Sequence, residues 1–280
     1  MKINIKNLTE LRGPLMKPEK FMLEIIGFCL FILSWQILAL HINKTGILPS
    51  PIIPIMTVNN VKSSVILSIH ELWFQDLILK NTLYSLYLNF CGYLEALAIS
   101  IPIGFLIGLS PIAKGLFNRP IDAIRFLPLT AVTGLFIAWF GIYTNMKILF
   151  LAFGITVYLI PVVIQRIFEV DEVYVQTIKT LGASKWQTIF KVFIPAVFSK
   201  LSDDIRILTA ISWTYIIVAE LLNNEGGIGS LTFRAARQGR LDKSFTALFV
   251  IILLGFAQDK LFTYLDKTMF KFKYTQLGDV

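Results

Sequence analysis

Residues 179–195 read KTLGASKWQTIFKVFIP, and this stretch decides how the chain is organised. Long apolar runs flank it, yet it carries Lys179, Lys185 and Lys191, a break at Gly182 and a closing Pro195. Ile178, Leu181, Trp186, Ile189, Phe190 and Phe193 recur at helical spacing, and Lys179, Lys185, Gln187, Thr188 and Lys191 fill the other face. The pattern predicts two short amphipathic helices within 169–200, hinged at Gly182, where backbone freedom permits a sharp turn. Pro195 either ends the second element or opens the next helix at its first turn. The residues alone leave two readings open: a basic helical loop on the membrane surface, or a docking element for a cytoplasmic partner.

The surroundings favour a bilayer as solvent. Of 280 residues 55% are hydrophobic and 16% charged, against roughly 25% charged in soluble domains, and the mean hydropathy is +0.69. A spanning helix needs about 20 mostly apolar residues. Six candidates meet that need, at about 21–42, 83–109, 126–142, 148–168, 201–222 and 244–264. The expected fold is therefore all-α and polytopic, a single six-span membrane domain over 21–265. Residues 1–20 and 266–280 form its terminal segments, and 169–200 form a loop. Pro49, Pro51 and Pro54 keep the segment after the first span extended, residues 59–79 read as short surface helices, and 110–125 as a basic loop. Pro102 predicts a kink in the second span.

Charge sets the orientation. With the N-terminus inside, 18 of the 26 Lys and Arg fall in inner segments and 8 in outer ones, so both termini and the 169–200 loop are expected in the cytoplasm. The net charge of +8 is scattered between apolar runs, which argues against nucleic-acid binding. Cys29 and Cys91 lie inside apolar runs and predict no disulfide. His41 and His70 stand alone, so no metal site is expected.

Inside the second span Gly92, Ala96, Ser100, Gly104 and Gly108 recur every four residues, a ridge that lets another helix approach closely. Glu95 flanks that ridge. An ionisable group at this depth costs roughly 2.5–3.5 kcal/mol unless paired, hydrated or protonated. It is a pathway or gating candidate, or else a hydrogen-bonded packing residue facing protein. Trp139, Thr209 and Trp213, with Thr130, Thr133 and Ser212, are polar or aromatic groups within spans three to five that either line a pathway or pack. In the outer loop Arg234, Arg237, Arg240 and Lys243 run against the inside-positive trend, as an attractor for an anion or an acidic docking patch, or as solvated surface charge.

The 179–195 stretch resembles the "EAA" cytoplasmic loop of bacterial ABC importer permeases, whose pattern is E-A-A, three residues, G, nine residues, then I-x-L-P. Gly182 matches the glycine, and Val192-Phe193-Ile194-Pro195 stands where I-x-L-P is usual, while Gln176-Thr177-Ile178 replaces the leading triplet. Other blocks resemble the nitrate, sulfonate, taurine and bicarbonate branch: LPSP at 48–51, IPIGFLIGLS at 101–110, RFLPLTAVTGLFIAWFGI at 125–142, VAELLNNEGGIGSL at 218–231 and AQDKLF at 257–262. The resemblance covers roughly residues 25–272.

It implies a type I ABC importer permease fold in the inner membrane, and a transporter subunit rather than an enzyme. Two permease copies, as a homodimer, would form the pathway within membrane lipid. Gln176, Ile178, Leu181, Gly182, Ala183, Trp186, Phe190 and Pro195 would dock an ATP-binding cassette ATPase. A periplasmic or lipid-anchored substrate-binding protein would deliver a small anionic solute, with Arg234, Arg237 and Arg240 as docking candidates. Glu220 matches the family glutamate of the A-E…G-x-G segment, as a gate or docking residue, its alternative being a salt bridge to one of those arginines. No G-x-x-x-x-G-K-[ST] phosphate loop occurs, so no cofactor is expected in this chain, and ATP and Mg belong to the partner. The rival readings are the same architecture carrying a pyrimidine vitamin precursor, and a membrane scaffold or enzyme without transport.

Overall fold

The computed structural model describes residues 17–42, 48–56, 62–74, 78–222, 225–271 and 273. In chain order these form helix α1 (Lys17–Ile42), strands β1 (Ile55–Met56) and β2 (Lys62–Ser63), then α2 (Val65–Phe74), α3 (Ile78–Leu109), α4 (Pro111–Ile124) and α5 (Leu129–Phe140). There follow α6 (Thr144–Phe168), α7 (Glu172–Thr180), α8 (Lys185–Thr188), a π-turn (Ile189–Phe193), α9 (Ile194–Leu221), α10 (Ile228–Arg237) and α11 (Leu241–Met269). The fold is helical, as expected. The one hairpin among the described residues pairs Ile55 with Ser63 and Met56 with Lys62, antiparallel.

The chain divides into two compact units, residues 1–76 with 234–246, and 77–233 with 247–280. In the first, the three prolines leave few backbone donors, and buried Gln36 collects what remains. Its Oε1 accepts from the Ser50 hydroxyl at 2.9 Å and from the N–H groups of Ile52 and Ile53 at 3.2 and 3.3 Å. Trp35 Nε1 donates to the Pro49 carbonyl at 3.0 Å. Asp242, fully buried, accepts from Ser63 at 2.7 Å and from the Arg240 guanidinium at 2.8 Å, and Arg240 also reaches Glu71 at 2.8 Å.

The second unit is organised by α3 on α6. A Cβ built on Gly92 would lie 2.9 Å from the Ile148 carbonyl, one on Gly104 2.6 Å from Val163 Cβ, and one on Gly108 2.6 Å from Ile167 Cδ1. The four-residue ridge is thus the face against which α6 packs, and any larger residue would push the helices apart. Val132 and Phe136 of α5 close over Met146 and Phe150 of α6 and Ala219 of α9.

Asn81, Ser85, Tyr84, Thr144 and Glu220 are linked side by side. The start of α3, the start of α6 and the end of α9 therefore lie together at one end of this unit. Arg166 and Asp204 mark the opposite end.

The spans differ in detail from expectation. α1, α3, α6 and α11 are each long and apolar enough to cross a membrane. The expected basic loop 110–125 is helix α4, begun by Ser110, whose hydroxyl accepts the Ala113 N–H at 3.3 Å, with Pro111 at its first position. The expected third span contains only α5, 12 residues and so about 18 Å long, too short for a hydrocarbon core of about 30 Å. α4 and α5 meet at a 101° bend and form either a broken span or a re-entrant loop. α9 is 28 residues long, but Lys200, Asp203, Asp204 and Arg206 put four charges in its first half.

Candidate functional site

The 169–200 segment forms two short helices, as its periodicity predicted. Asp171 caps α7, accepting the Val173 N–H at 2.9 Å. α7 ends in a Schellman arrangement: Ala183 N–H reaches the Ile178 carbonyl at 3.2 Å and Gly182 N–H the Lys179 carbonyl at 3.0 Å. Gly182 closes that turn at φ +78°, a left-handed conformation that costs other residues strain. Ser184 then opens α8 with a capping box: its hydroxyl accepts the Gln187 N–H, and the Gln187 side chain accepts the Ser184 N–H at 2.7 Å.

The helix does not stop at Pro195. It passes through the π-turn, in which the Ile194 N–H bonds the Ile189 carbonyl, and continues as α9 with Pro195 in its first turn. Proline has no N–H for the Lys191 carbonyl, so an α-register here would leave that acceptor open and clash with the ring. The wider turn absorbs the misfit.

Both feet of the segment are clamped. Arg166, at the end of α6, bonds Asp204 of α9 through two nitrogens at 2.7 and 2.8 Å, and Glu169 at 2.6 Å. Lys200 donates to the Glu169 carbonyl at 3.0 Å. The Arg166 hydrogen bond holds the Glu169 carboxyl below the usual carboxylate range, helped by Gln165 and Lys200. Between the feet, apolar side chains stand in the open: Leu181 is 80% exposed, Trp186 70% and Phe190 62%. The Trp186 and Phe190 rings stack with centroids 6.3 Å apart. Gln176, Gly182 and Pro195 are also exposed, and Ile178 and Ala183 half-buried. The result is a rigid, capped lever with an unpartnered aromatic surface.

At the other end of the unit lies a buried polar clamp. Glu220 is fully buried; its carboxylate accepts from the Ser85 hydroxyl at 2.5 Å and from the Gly229 N–H at 2.8 Å. Ser85 accepts the Ile228 N–H at 2.9 Å, and Asn81 Oδ1 accepts the Gly227 N–H at 2.9 Å. Three side chains from α3 and α9 thus satisfy three consecutive amides that open α10, the work of an N-cap done from outside the helix. Gly227, at φ +105°, lies so close that a Cβ there would sit 2.2 Å from Glu220 Cδ. This explains why glutamate and glycine share one motif. Lys147, in the first turn of α6, is also fully buried; its Nζ has no hydrogen-bond partner among the described residues, stands 5.3 Å from the Tyr84 ring centroid, and faces the charges of Glu220 and Glu225.

The other candidates are scattered. Glu95 lies on the exposed side of α3, off the ridge packed on α6, and Trp139 is exposed on α5. Thr209 is buried and donates to the Ile205 carbonyl at 3.0 Å; Trp213 is buried, with Nε1 donating to Gln258 at 2.5 Å. Arg234 and Arg237 are exposed on α10, whereas Arg240 is committed to Glu71 and Asp242. Glu220 is held by a hydroxyl and an amide, and the expected arginine bridge is not among its described contacts. Sequence reasoning missed Asn81, Ser85 and Lys147, whose polar types at helix starts look like ordinary surface.

Long apolar helices together with a capped, exposed lever define a multi-pass membrane protein that offers a surface to a partner. The chain belongs to the binding-protein-dependent transport system inner membrane component family, whose model matches residues 100–271. It is 27% identical over 256 residues to the putative aliphatic sulfonates transport permease SsuC of Bacillus subtilis, covering 88% of this chain and 86% of that one. It is 25% identical over 282 residues to the nitrate import permease NrtB of Synechococcus elongatus, covering 94% of each. Its fold is similar to a chain of the inward-facing MetNI methionine ABC transporter, with a TM-score of 0.59, 16% identity, and coverage of 70% of this chain and 95% of that one. The protein is thus an inner-membrane permease component of an ABC importer.

Proposed function

We propose that this permease moves a small anionic solute inward and is driven by a separate ATPase that docks on residues 176–195. The observation that carries the docking is the exposure of Leu181, Trp186 and Phe190 on a segment whose helices are capped at both ends and clamped at both feet. A surface helix of a monomer gains nothing from presenting stacked aromatic rings to water; a groove on a partner would bury them. The polar residues around them, Lys179, Lys185 and Gln187, fit the rim of such a contact. The anionic class is supported by the sulfonate and nitrate named for its relatives. ATP and Mg are handled by the partner, two permease copies form the pathway, and a periplasmic or lipid-anchored binding protein delivers the solute.

Co-purification tests the docking. The wild-type permease is expected to retain its ATPase through affinity purification in detergent, and Trp186→Asp with Phe190→Asp to lose it while the permease itself remains monodisperse. Undiminished ATPase recovery with the double variant contradicts the assignment. Uptake of radiolabelled ethanesulfonate or nitrate, against a neutral solute, tests the cargo class.

A further inference from the structure

Charge counting along the sequence places Arg125 with the inner basic segment, but at the bend between α4 and α5 it shares one cavity with Tyr158, near the middle of the 25-residue α6, and a second with Pro161 and Ile164. The bend thus presents an arginine beside the inner half of α6. Among the described residues this guanidinium has no carboxylate or hydrogen-bond partner; the Phe126 ring lies 5.3 Å away. Arg125 is exposed, and inside a bilayer such a cation is costly unless water or an anion compensates it.

What faces it is a cavity of about 230 Å³. The polar groups lining it are Arg125, Thr130, Tyr158, Thr214 and Tyr215, and no carboxylate does. Apolar Phe150 and Val218 complete the wall. Tyr158 and Tyr215 line the same cavity as the arginine. We propose that the break between α4 and α5 holds a binding site for a small oxyanion, with Arg125 as its charged anchor and Thr130, Tyr158 and Tyr215 as hydroxyl donors.

The chemistry selects this ligand class. A guanidinium offers a planar fork that matches two oxygens of a nitrate or sulfonate, and hydroxyls serve the remaining oxygen. The volume lies below that of sites for drug-sized ligands, so it admits an ion of a few heavy atoms with a short alkyl tail against Phe150 and Val218. The surroundings extend the argument. Arg125 also lines a second cavity of about 260 Å³, and Lys114 lines that one and a third of about 830 Å³ that reaches Lys179 of the lever. Arg125 is thus common to the first two cavities, and Lys114 to the second and third, the latter also lined by Glu172. Asp122, bonded to Asn118 at 3.0 Å, is the one carboxylate on the second.

The site rests on reading the chain as a permease for an anionic solute, and the test separates the two. The purified permease–ATPase complex is titrated calorimetrically with sodium ethanesulfonate and sodium nitrate in a gluconate background, with glycerol as the neutral control. Saturable binding of at least one anion is expected from the wild type. Arg125→Gln is expected to weaken it about tenfold or more, as the loss of a charge-assisted hydrogen bond requires, and Tyr215→Phe to weaken it less. An Arg125→Gln complex that binds as the wild type does, or a wild-type complex that binds neither anion saturably, overturns the site. If Arg125→Gln does not assemble, Arg125→Lys decides, since it keeps the charge and loses the fork; unchanged affinity overturns the assignment. Failure of the wild-type ATPase to co-purify sinks the docking proposal, whereas an intact complex whose anion affinity ignores Arg125 sinks this site alone.

Discussion

Gly182 and Gly227 show how one residue type serves two physical needs. At Gly182, φ is +78° and a Cβ would meet nothing within 4 Å, so the requirement is purely conformational. Gly182→Ala should cost roughly 1–2 kcal/mol, the strain of a left-handed L-residue, without displacing any neighbour. At Gly227 the backbone is also left-handed, but a Cβ would fall 2.2 Å from Glu220 Cδ. Gly227→Ala must therefore expel the carboxylate from its contacts with Ser85 and Gly229, adding loss of buried hydrogen bonds to the strain. Hydrogen exchange reads the difference. Gly182→Ala should speed exchange only in peptides from 176–190, whereas Gly227→Ala should expose 226–233 together with the start of α3. Equal and local effects for the two alanines would remove the clamp from the explanation of the glycine.

At the scale of elements, the helix ends carry the functional geometry. The lever's angle is set where α6 ends and α9 begins, by Arg166, Glu169, Asp204 and Lys200. Glu169 has a lower carboxyl pKa folded than unfolded, mainly through Arg166. Its contribution to stability is therefore full above the unfolded value of about 4.3 and is lost as pH falls through the folded value beneath it. The difference in thermal midpoint between wild type and Glu169→Gln should be constant from about pH 8 to pH 5 and shrink below about pH 4. A difference that grew on acidification would contradict the ion-pair origin; being partly exposed, the pair should give a small one.

The small-residue ridge of α3 and the turn at Gly182 were legible because each depends on local spacing or on one residue's backbone, whereas Pro195 left open whether it ends one helix or begins the next. α4 was not, since its mixture of Lys114, Arg119 and Asp122 with apolar residues reads equally as a loop until Ser110 and Pro111 are recognised as a cap. The position of Arg125 was illegible for a different reason. A charge close to a proline looks like the end of a span, and only the cavities it shares with Tyr158 and Pro161 place it beside the inner half of α6.

For the whole molecule, charge placement sets the constraints that a bilayer enforces. Lys147 and Glu220 are both fully buried, one on α6 and one on α9, and Glu220 and Glu225 are the carboxylates whose charges act on the lysine. Among the described residues the lysine Nζ has no hydrogen-bond partner and no ion pair, so its buried charge is a cost rather than a contact. Lys147→Met should therefore be neutral or stabilising in thermal unfolding, whereas Glu220→Gln, which disturbs the bonds to Ser85 and Gly229, should destabilise. A large loss of stability in Lys147→Met would show that the lysine is compensated in the folded chain.

Glu95 poses the converse problem. It stands on the exposed side of α3 within a candidate span, where contact with acyl chains would cost about 2.5–3.5 kcal/mol. The least costly resolution is that this side of α3 faces water or a second copy of the chain across the pathway. In a background with Cys29 and Cys91 replaced by serine, Glu95→Cys should then react with a charged, membrane-impermeant maleimide, and the rate should change when ATP and the binding protein are added. Cys91, one turn earlier on the same side but half-buried, supplies a less accessible control: restored alone, it should react more slowly. If the Glu95→Cys thiol were labelled only by a lipophilic maleimide, α3 would present that side to lipid, and Glu95 would be a protonated or snorkelling packing residue with no part in transport.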